Sequence, residues 1–365
     1  MFCLSGEGDP CTITSTKEPG ICRLAKDCPN AKNETFPNSC SFLGTTSTVC
    51  CFSRVKRLSF IKPSSQASNK SETASSDLKP GEFSREKCLL YYPEPFNPIF
   101  VTGGTPSLAR EFPHMAVIGY GDEEDVQWLC GGSLISKRFV LTAAHCLTSK
   151  VGDARYVRLG DLDLSTKDDD AYPQNFTITR RIPHPSFRPP IRYHDIALLE
   201  LDREVALSVY VSPACLNTEK DFNQTWFTAT GWGHTQYTGN SSSFLLKVNL
   251  KHVSPNKCIE DFGRTSKILL PDGIIDEFQI CAGGVIGEDT CQGDSGGPVQ
   301  VKNYNRSFLV KVHDIIGVTS FGKACGLSKA PGIYTRVSSY IAWIESVAFQ
   351  YEKSLSWETV WKPLN

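Results

Sequence analysis

Cysteine spacing sets the first limit on how this chain can fold. Six of its fifteen cysteines, Cys11, Cys22, Cys28, Cys40, Cys50 and Cys51, crowd into about 40 residues. So short a segment cannot bury enough apolar surface to fold unaided, and it reads as a mini-domain stapled by disulfides. A zinc site is the alternative reading. It is the weaker one, because no paired Cys-x-x-Cys spacing is present and adjacent Cys50 and Cys51 suit bridges running in opposite directions. Six cysteines allow fifteen pairings, and spacing alone does not choose among them. So many cysteines point to an oxidising compartment. The sequons at Asn33, Asn69, Asn175, Asn223, Asn240 and Asn305 agree with secretion and glycosylation. Met1 to Ser5 is not a leader, since no apolar core of roughly 7–15 residues follows it. Either the leader lies outside this sequence or the start is misassigned.

After Cys51 the composition changes. Pro63 to Asp77 is rich in serine and has almost no large apolar residues, so residues 52–87 read as a disordered or loosely extended linker. Arg54, Lys56, Arg57, Lys79, Arg85 and Lys87 offer sites for nicking. The remaining length suits one large domain, and the 40% hydrophobic content supports a core. A net charge of -1 gives no general reason to expect nucleic acid or an anionic membrane as partner. No apolar run approaches the roughly 20 residues of a spanning helix.

Chemistry concentrates in three short stretches. Gly287-Glu-Asp-Thr-Cys-Gln-Gly-Asp-Ser-Gly-Gly-Pro298 sets a serine on a glycine-rich turn. A serine hydroxyl is a weak nucleophile, and it needs a base and a group that orients that base. Leu141-Thr-Ala-Ala-His-Cys146 supplies a histidine after an apolar run and beside a cysteine. Tyr193-His-Asp-Ile-Ala-Leu-Leu199 places an aspartate at the mouth of an apolar strand, where it is expected to be half-buried. Together these stretches resemble the chymotrypsin family over about residues 101–346. The resemblance implies an all-β fold of two six-stranded antiparallel barrels with a C-terminal helix over Val337 to Glu345. It makes Ser295 the nucleophile, His145 the general base and Asp195 its orienting partner. The backbone N–H groups of Gly293 and Ser295 form the implied oxyanion hole.

The cysteine cluster, with Gly-Glu-Gly-Asp-Pro-Cys11, Pro-Gly-Ile-Cys22 and Val-Cys-Cys51, resembles the clip domain of arthropod serine proteases. The family's connectivity would give Cys11–Cys50, Cys22–Cys40 and Cys28–Cys51. In the catalytic region it would give Cys88–Cys215, Cys130–Cys146, Cys258–Cys281 and Cys291–Cys325, leaving Cys3 over. The Cys130–Cys146 loop of about 15 residues is worth roughly 3 kcal/mol on the chain-entropy model. The expected division is an N-terminal segment at 1–10, a clip domain at 11–51, a linker and activation segment at 52–100, a protease domain at 101–346 and an extension at 347–365. Trp357 and Trp361 lie in that extension, for which no role is read.

Val101-Thr-Gly-Gly104 stands where the mature catalytic chain begins in this family. Cleavage after Phe100 would free the Val101 ammonium to pair with Asp294. An unpaired buried carboxylate is costly, so pairing would favour an ordered oxyanion loop. Most relatives carry Arg or Lys before this cut, whereas Phe100 implies an activator with an apolar preference, as in the snake- and persephone-like subgroup. Asp289, six residues before Ser295, is the implied floor of the specificity pocket, with Gly322 and Gly332 as open walls. A buried carboxylate there demands a cation, so substrates should carry Arg or Lys before the cut bond. Ala324 stands where glycine is frequent and would narrow the rim slightly.

Two further features are read from the sequence. Asp161 and Asp170 fall in an acidic loop and are calcium candidates, though a solvated charge run is the simpler reading. No other cofactor is expected. The stretch Lys267 to Ile275 lengthens the Cys258–Cys281 interval and reads as an inserted, partly apolar surface loop that either touches substrate or has merely drifted.

The resulting expectation is a secreted zymogen that cuts after Arg or Lys and relays a proteolytic signal in haemolymph, in immunity (Toll-type signalling or melanisation) or development. Its implied partners are a downstream zymogen, an upstream activating protease and a serpin-type inhibitor. The rival reading is a non-catalytic binding homologue, supported by Phe100 alone. A broad digestive trypsin is disfavoured by the clip and linker.

Overall fold

The computed structural model describes, beyond four strands of the N-terminal unit, residues 79–91, 105–221, 224–233, 241–262, 268–284, 294–303, 312–322 and 330–350. The chain divides into two units, Met1–Ser75 and Ser76–Asn365.

The N-terminal unit is a four-stranded antiparallel sheet. Pro10–Thr12 pairs with Pro19–Leu24, which pairs with Thr46–Phe52, which pairs with Ser39–Leu43. Cys22 stands opposite Cys50 and Ile21 opposite Cys51 along the backbone. The bridges expected of Cys11, Cys22, Cys28, Cys40, Cys50 and Cys51 fall on side chains outside the described residues, as does Cys3.

The second unit holds twelve main strands in two closed antiparallel barrels. The first comprises β1 (Met115–Tyr120), β2 (Gln127–Leu134), β3 (Phe139–Thr142), β4 (Gly152–Leu159), β5 (Gln174–Pro183) and β6 (Ala197–Leu201). They hydrogen-bond in the ring order β1-β2-β3-β6-β5-β4, with β4 returning to β1. The second comprises β7 (Trp226–Gly231), β8 (Leu246–Val253), β9 (Gln279–Ala282), β10 (Pro298–Lys302), β11 (His313–Phe321) and β12 (Gly332–Arg336). It repeats the same ring order, β7-β8-β9-β12-β11-β10, and closes on β7.

The apolar pattern explains these strands. β6 is buried at four of its five positions, Ala197, Leu198, Leu199 and Leu201, so both of its faces are covered, whereas β4 and β5 mix buried and exposed positions. Closure leaves no free sheet edge in either ring. Around the first barrel Ile118, Leu141, Leu159, Leu198 and Leu199 belong to one buried cluster and are at most 1% exposed, so a core truncation there costs about 2–5 kcal/mol. Phe227, Leu250, Val299 and Tyr334 fill the second barrel.

Three α-helices stand among the described residues of the unit. α1 (Glu82–Tyr91) lies inside the stretch read from sequence as linker, α2 (Pro255–Phe262) carries Cys258, and α3 (Ile341–Ala348) follows a tight 3-10 turn at Val337–Tyr340. α1 is therefore a correction to the extended-linker expectation. It is fixed to the protease body by the Cys88–Cys215 disulfide, by Phe83 against Phe349 at 5.5 Å, and by Arg85 to Glu219 at 2.9 Å. Cys130–Cys146 and Cys258–Cys281 are also bonded, while Cys291 and Cys325 lie outside the described residues. No helix among the described residues is long and apolar enough to cross a membrane.

Candidate active site

The two barrels meet where their loops set His145 against Asp195 and bond the Ser295 turn to the first barrel. His145 sits on the short helical turn Ala144–Leu147 directly after β3, anchored by the neighbouring Cys146 through its bridge to β2. Asp195 sits just before β6. Since β3 and β6 pair with Thr142 opposite Ala197, the sheet register brings the two side chains side by side.

Asp195 grips His145 with both oxygens. Oδ1 accepts from the backbone N–H of His145 at 2.9 Å, and Oδ2 lies 2.7 Å from Nδ1. This places the proton of a neutral imidazole on Nδ1 and leaves Nε2 without one. The sequence led to a half-buried Asp195, but the residue is 0% exposed. The difference comes from the second barrel and its C-terminal turn. Ser320 Oγ donates to Oδ2 at 2.5 Å, Thr335 Oγ1 donates to the Asp195 carbonyl at 2.9 Å, and Tyr340 stands close by. Burial pushes the carboxyl up. The imidazole of His145, the Ser320 hydroxyl and the Arg192 guanidinium outweigh it and hold Asp195 below the usual carboxylate range.

Ser295 belongs to a turn of the second barrel, yet it is bonded to the first. Its carbonyl accepts from Gly131 N–H of β2 at 2.8 Å. Gly296 N–H donates to Thr319 O at 2.8 Å, and Gly297 N–H to Asp294 O at 2.9 Å. Gly296 adopts φ +77°, and a Cβ there would stand 2.2 Å from Thr142 Oγ1 and 2.6 Å from Gly131 O. Only glycine closes this turn, because both the left-handed conformation and the space forbid a side chain. The turn thus abuts Gly131 of β2 and Thr142 and Cys146 from the stretch that carries His145.

Asp294 accepts from the Gly233 N–H at 3.0 Å and fills the space a Cβ on Gly231 would need, 2.1 Å from its Oδ1. Gly322 directly follows β11 and Gly332 begins β12, and a Cβ on Gly322 would lie 3.8 Å from the Gly332 Cα. Phe100, Val101, Asp289, Gly293 and Ala324 lie outside the described residues.

The other candidates are placed as follows. Asp161 Oδ2 accepts from Arg158 at 3.2 Å, and Asp170 from Arg110 at 2.6 Å and from the Tyr210 hydroxyl at 2.7 Å. Neither belongs to a cluster of metal-ligating side chains among the described residues. Asn175 is exposed on β5 and accepts from Arg158 Nε at 2.8 Å, while Asn33, Asn69, Asn223, Asn240 and Asn305 lie outside the described residues. His184 and His194 stack at 5.3 Å against Tyr340 and Trp343, a packing role. Sequence reading missed Ser320, Thr335 and Arg192 as partners of Asp195. Ser320 carried the one available signal, its position just before Phe321-Gly322 in the pocket wall.

Comparison with known proteins agrees with this geometry. The family model described as Trypsin matches residues 101–344. The chain is 37% identical to "Serine protease snk" of Drosophila melanogaster over 361 residues, covering 94% of this chain and 79% of the relative. It is 34% identical to "CLIP domain-containing serine protease B10" of Anopheles gambiae, covering 92% and 93%. It is 38% identical to "Melanization protease 1" of Drosophila melanogaster, covering 67% and 65%. The chain belongs to the trypsin family and is a serine endopeptidase of the arthropod clip-domain group.

Proposed function

We propose that this chain is a secreted zymogen whose activated form cuts protein substrates after Arg or Lys, with Ser295, His145 and Asp195 as its catalytic residues. The observation that carries the reading is the two-point grip of buried Asp195 on His145, at 2.9 and 2.7 Å. His145 takes the proton of Ser295 as its Oγ attacks the scissile carbonyl, then delivers it to the leaving amine, while Asp195 stabilises the imidazolium. The N–H groups of Gly293 and Ser295 hold the oxyanion, each such donor being worth about 100- to 1,000-fold. Asp289 takes the substrate cation between the walls formed by Gly322 and Gly332.

Activation is the cut between Phe100 and Val101, made by a protease that prefers an apolar residue. The new Val101 ammonium pairs with Asp294. The Cys88–Cys215 bond then keeps the N-terminal chain attached. The clip at 11–51, linker to 100, protease domain from 101 to 346 and C-terminal extension at 347–365 are the units of this device. Bonded cysteines and the similarity to "Melanization protease 1" support an extracellular protease role; its substrate in this reading is a downstream zymogen and its inhibitor a serpin-type protein. No cofactor takes part in this chemistry.

The test is amidolysis of Arg-, Lys- and Phe-type peptide substrates before and after cleavage at an activator site engineered in place of Phe100. Turnover of Arg and Lys substrates only after the cut is the expected result. No turnover with Val101 confirmed as the new N-terminus would overturn it, leaving a binding homologue.

A further inference from the structure

Arg192, three residues before Asp195, shares its carboxylate with His145. Arg192 Nη1 donates to Asp195 Oδ2 at 3.4 Å, the same oxygen that lies 2.7 Å from His145 Nδ1. Asp195 is the carboxylate within ion-pair distance of Arg192 among the described residues, and the guanidinium side chain is 25% exposed. Its Nε is buried with no hydrogen-bond partner there, so Asp195 is the contact that holds the head group.

The backbone beneath Arg192 is fixed from elsewhere in the chain. Arg192 N–H donates to Leu269 O at 2.9 Å. The hydroxyl of the next residue, Tyr193, donates to Gly273 O at 2.7 Å and accepts from Asp272 N–H at 3.0 Å. Leu270 is buried, and Gly273 turns the loop at φ +78°. The lengthened Cys258–Cys281 interval therefore docks on residues 192–193 and presents Arg192 to the site.

We propose that Arg192 is a positioning residue of the catalytic triad, held by the 268–275 loop, and that its charge weakens the pull of Asp195 on the His145 imidazolium. This rests on the proposed role of His145 as base. Two positive groups compete for one carboxylate, so the protonated imidazole is disfavoured relative to a site without the arginine. The charged and polar groups facing this carboxylate are His145, Arg192, Ser320 and Tyr340, with His194 held at the Tyr340 hydroxyl at 3.0 Å. Arg192 is the permanent cation among them.

The experiment compares the activated wild type, Arg192→Gln and Arg192→Lys in kcat/KM for a small Arg substrate between pH 5 and 9. The acid limb of Arg192→Gln should move up by about half a pH unit, whereas Arg192→Lys should keep its position. A part in packing alone would change yield or KM without moving the limb. The low-field Nδ1–H proton resonance of His145, titrated in the uncut full chain, follows the same equilibrium without turnover. An unchanged titration in Arg192→Gln by both readouts overturns the proposal. A shifted resonance in an enzyme that turns over nothing supports the proposal and overturns the catalytic reading instead.

Discussion

Glu345 of α3 closes the start of α1, more than 250 residues earlier in the chain. Its Oε1 accepts from Ser84 N–H at 2.8 Å, Ser84 Oγ at 2.7 Å and Gly81 N–H at 3.1 Å. The first N–H groups of a helix have no partner within it, and a carboxylate there is favoured by the helix dipole. Glu345 is only 3% exposed, so its removal leaves buried donors unpaired. Glu345→Ala should lower stability by about 2–3 kcal/mol, read as a drop in thermal midpoint. It also gives α1 a hold that does not depend on Cys88–Cys215. After cleavage following position 100 and mild reduction, the N-terminal chain should co-elute with the protease body in size-exclusion chromatography. In Glu345→Ala it should separate. Separation of the wild-type chains on reduction alone would show that the disulfide is the whole tether.

Asp195→Asn should fold, because the amide fills the same space beside Ser320 and Thr335. It should nevertheless lose about 10⁴-fold in kcat near neutral pH, since an amide favours the wrong imidazole tautomer and does not stabilise the imidazolium. Steady-state kinetics of the activated enzyme, with an unchanged thermal midpoint, checks this. A loss of less than tenfold would remove Asp195 from the mechanism.

His114 makes folding sensitive to acid. It is 1% exposed, and burial lowers its pKa to about 3, a shift that the neighbouring Gln300 side chain offsets in part. Its folded value lies below the unfolded value near 6.5, so the unfolded chain takes up the proton first. Above about pH 6.5 this residue has no effect on stability. As pH falls from there toward 3, it costs up to about 1.4 kcal/mol per pH unit. His114→Leu should flatten the acid side of the curve of urea midpoint against pH, although Asp195 will still contribute an acid loss of its own. Parallel curves for variant and wild type would show that His114 is protonated in the folded state.

The fold and the site were legible in the sequence to different depths. His145, Asp195 and Ser295 each sit in a stretch whose neighbours are fixed by local geometry, a cysteine anchor, a buried strand and a glycine turn, so short-range pattern marked them as candidates, and the structure pairs His145 with Asp195. The strands were legible because alternating or continuous apolar runs mark them, as in β4 and β6. What stayed hidden depends on contacts distant in sequence. Full burial of Asp195 needs Ser320 and Thr335, over 100 residues away. α1 was read as linker because its sequence is polar overall and its partners Glu345, Phe349 and Cys215 lie far along the chain. The 268–275 loop gave its composition but not its docking site on Arg192 and Tyr193.

Gly296→Ala tests whether the Ser295 turn is a rigid part of the site. A methyl group 2.2 Å from Thr142 Oγ1 and 2.6 Å from Gly131 O, at φ +77°, must push the turn away from the first barrel. The barrels themselves are closed by their own ladders and should survive. Activity should fall by more than about 100-fold, because a displacement of about 1 Å is enough for that loss. Active-site titration paired with circular dichroism separates the two effects. Full titration by an acylating reagent would show that the turn relaxes around the methyl group.

Phe100→Arg tests the specificity and the activation reading together. The native chain presents an apolar side chain before its own activation bond, whereas Asp289 is proposed to demand a cation in the pocket. The enzyme therefore should not cut its own zymogen, and the signal must pass through a different protease. Exchanging Phe100 for Arg makes that bond a substrate for the enzyme it releases. Purified Phe100→Arg zymogen should convert with a lag followed by acceleration, and a trace of activated enzyme should abolish the lag. Adding Ser295→Ala to the same chain should stop conversion in the absence of other proteases. Adding Asp289→Ser should leave the triad intact but remove the preference for the new arginine, so conversion should again be lost. Conversion of wild-type Phe100 zymogen by its own activated form would instead mean that the pocket accepts a large apolar side chain, and Asp289 would not be its floor.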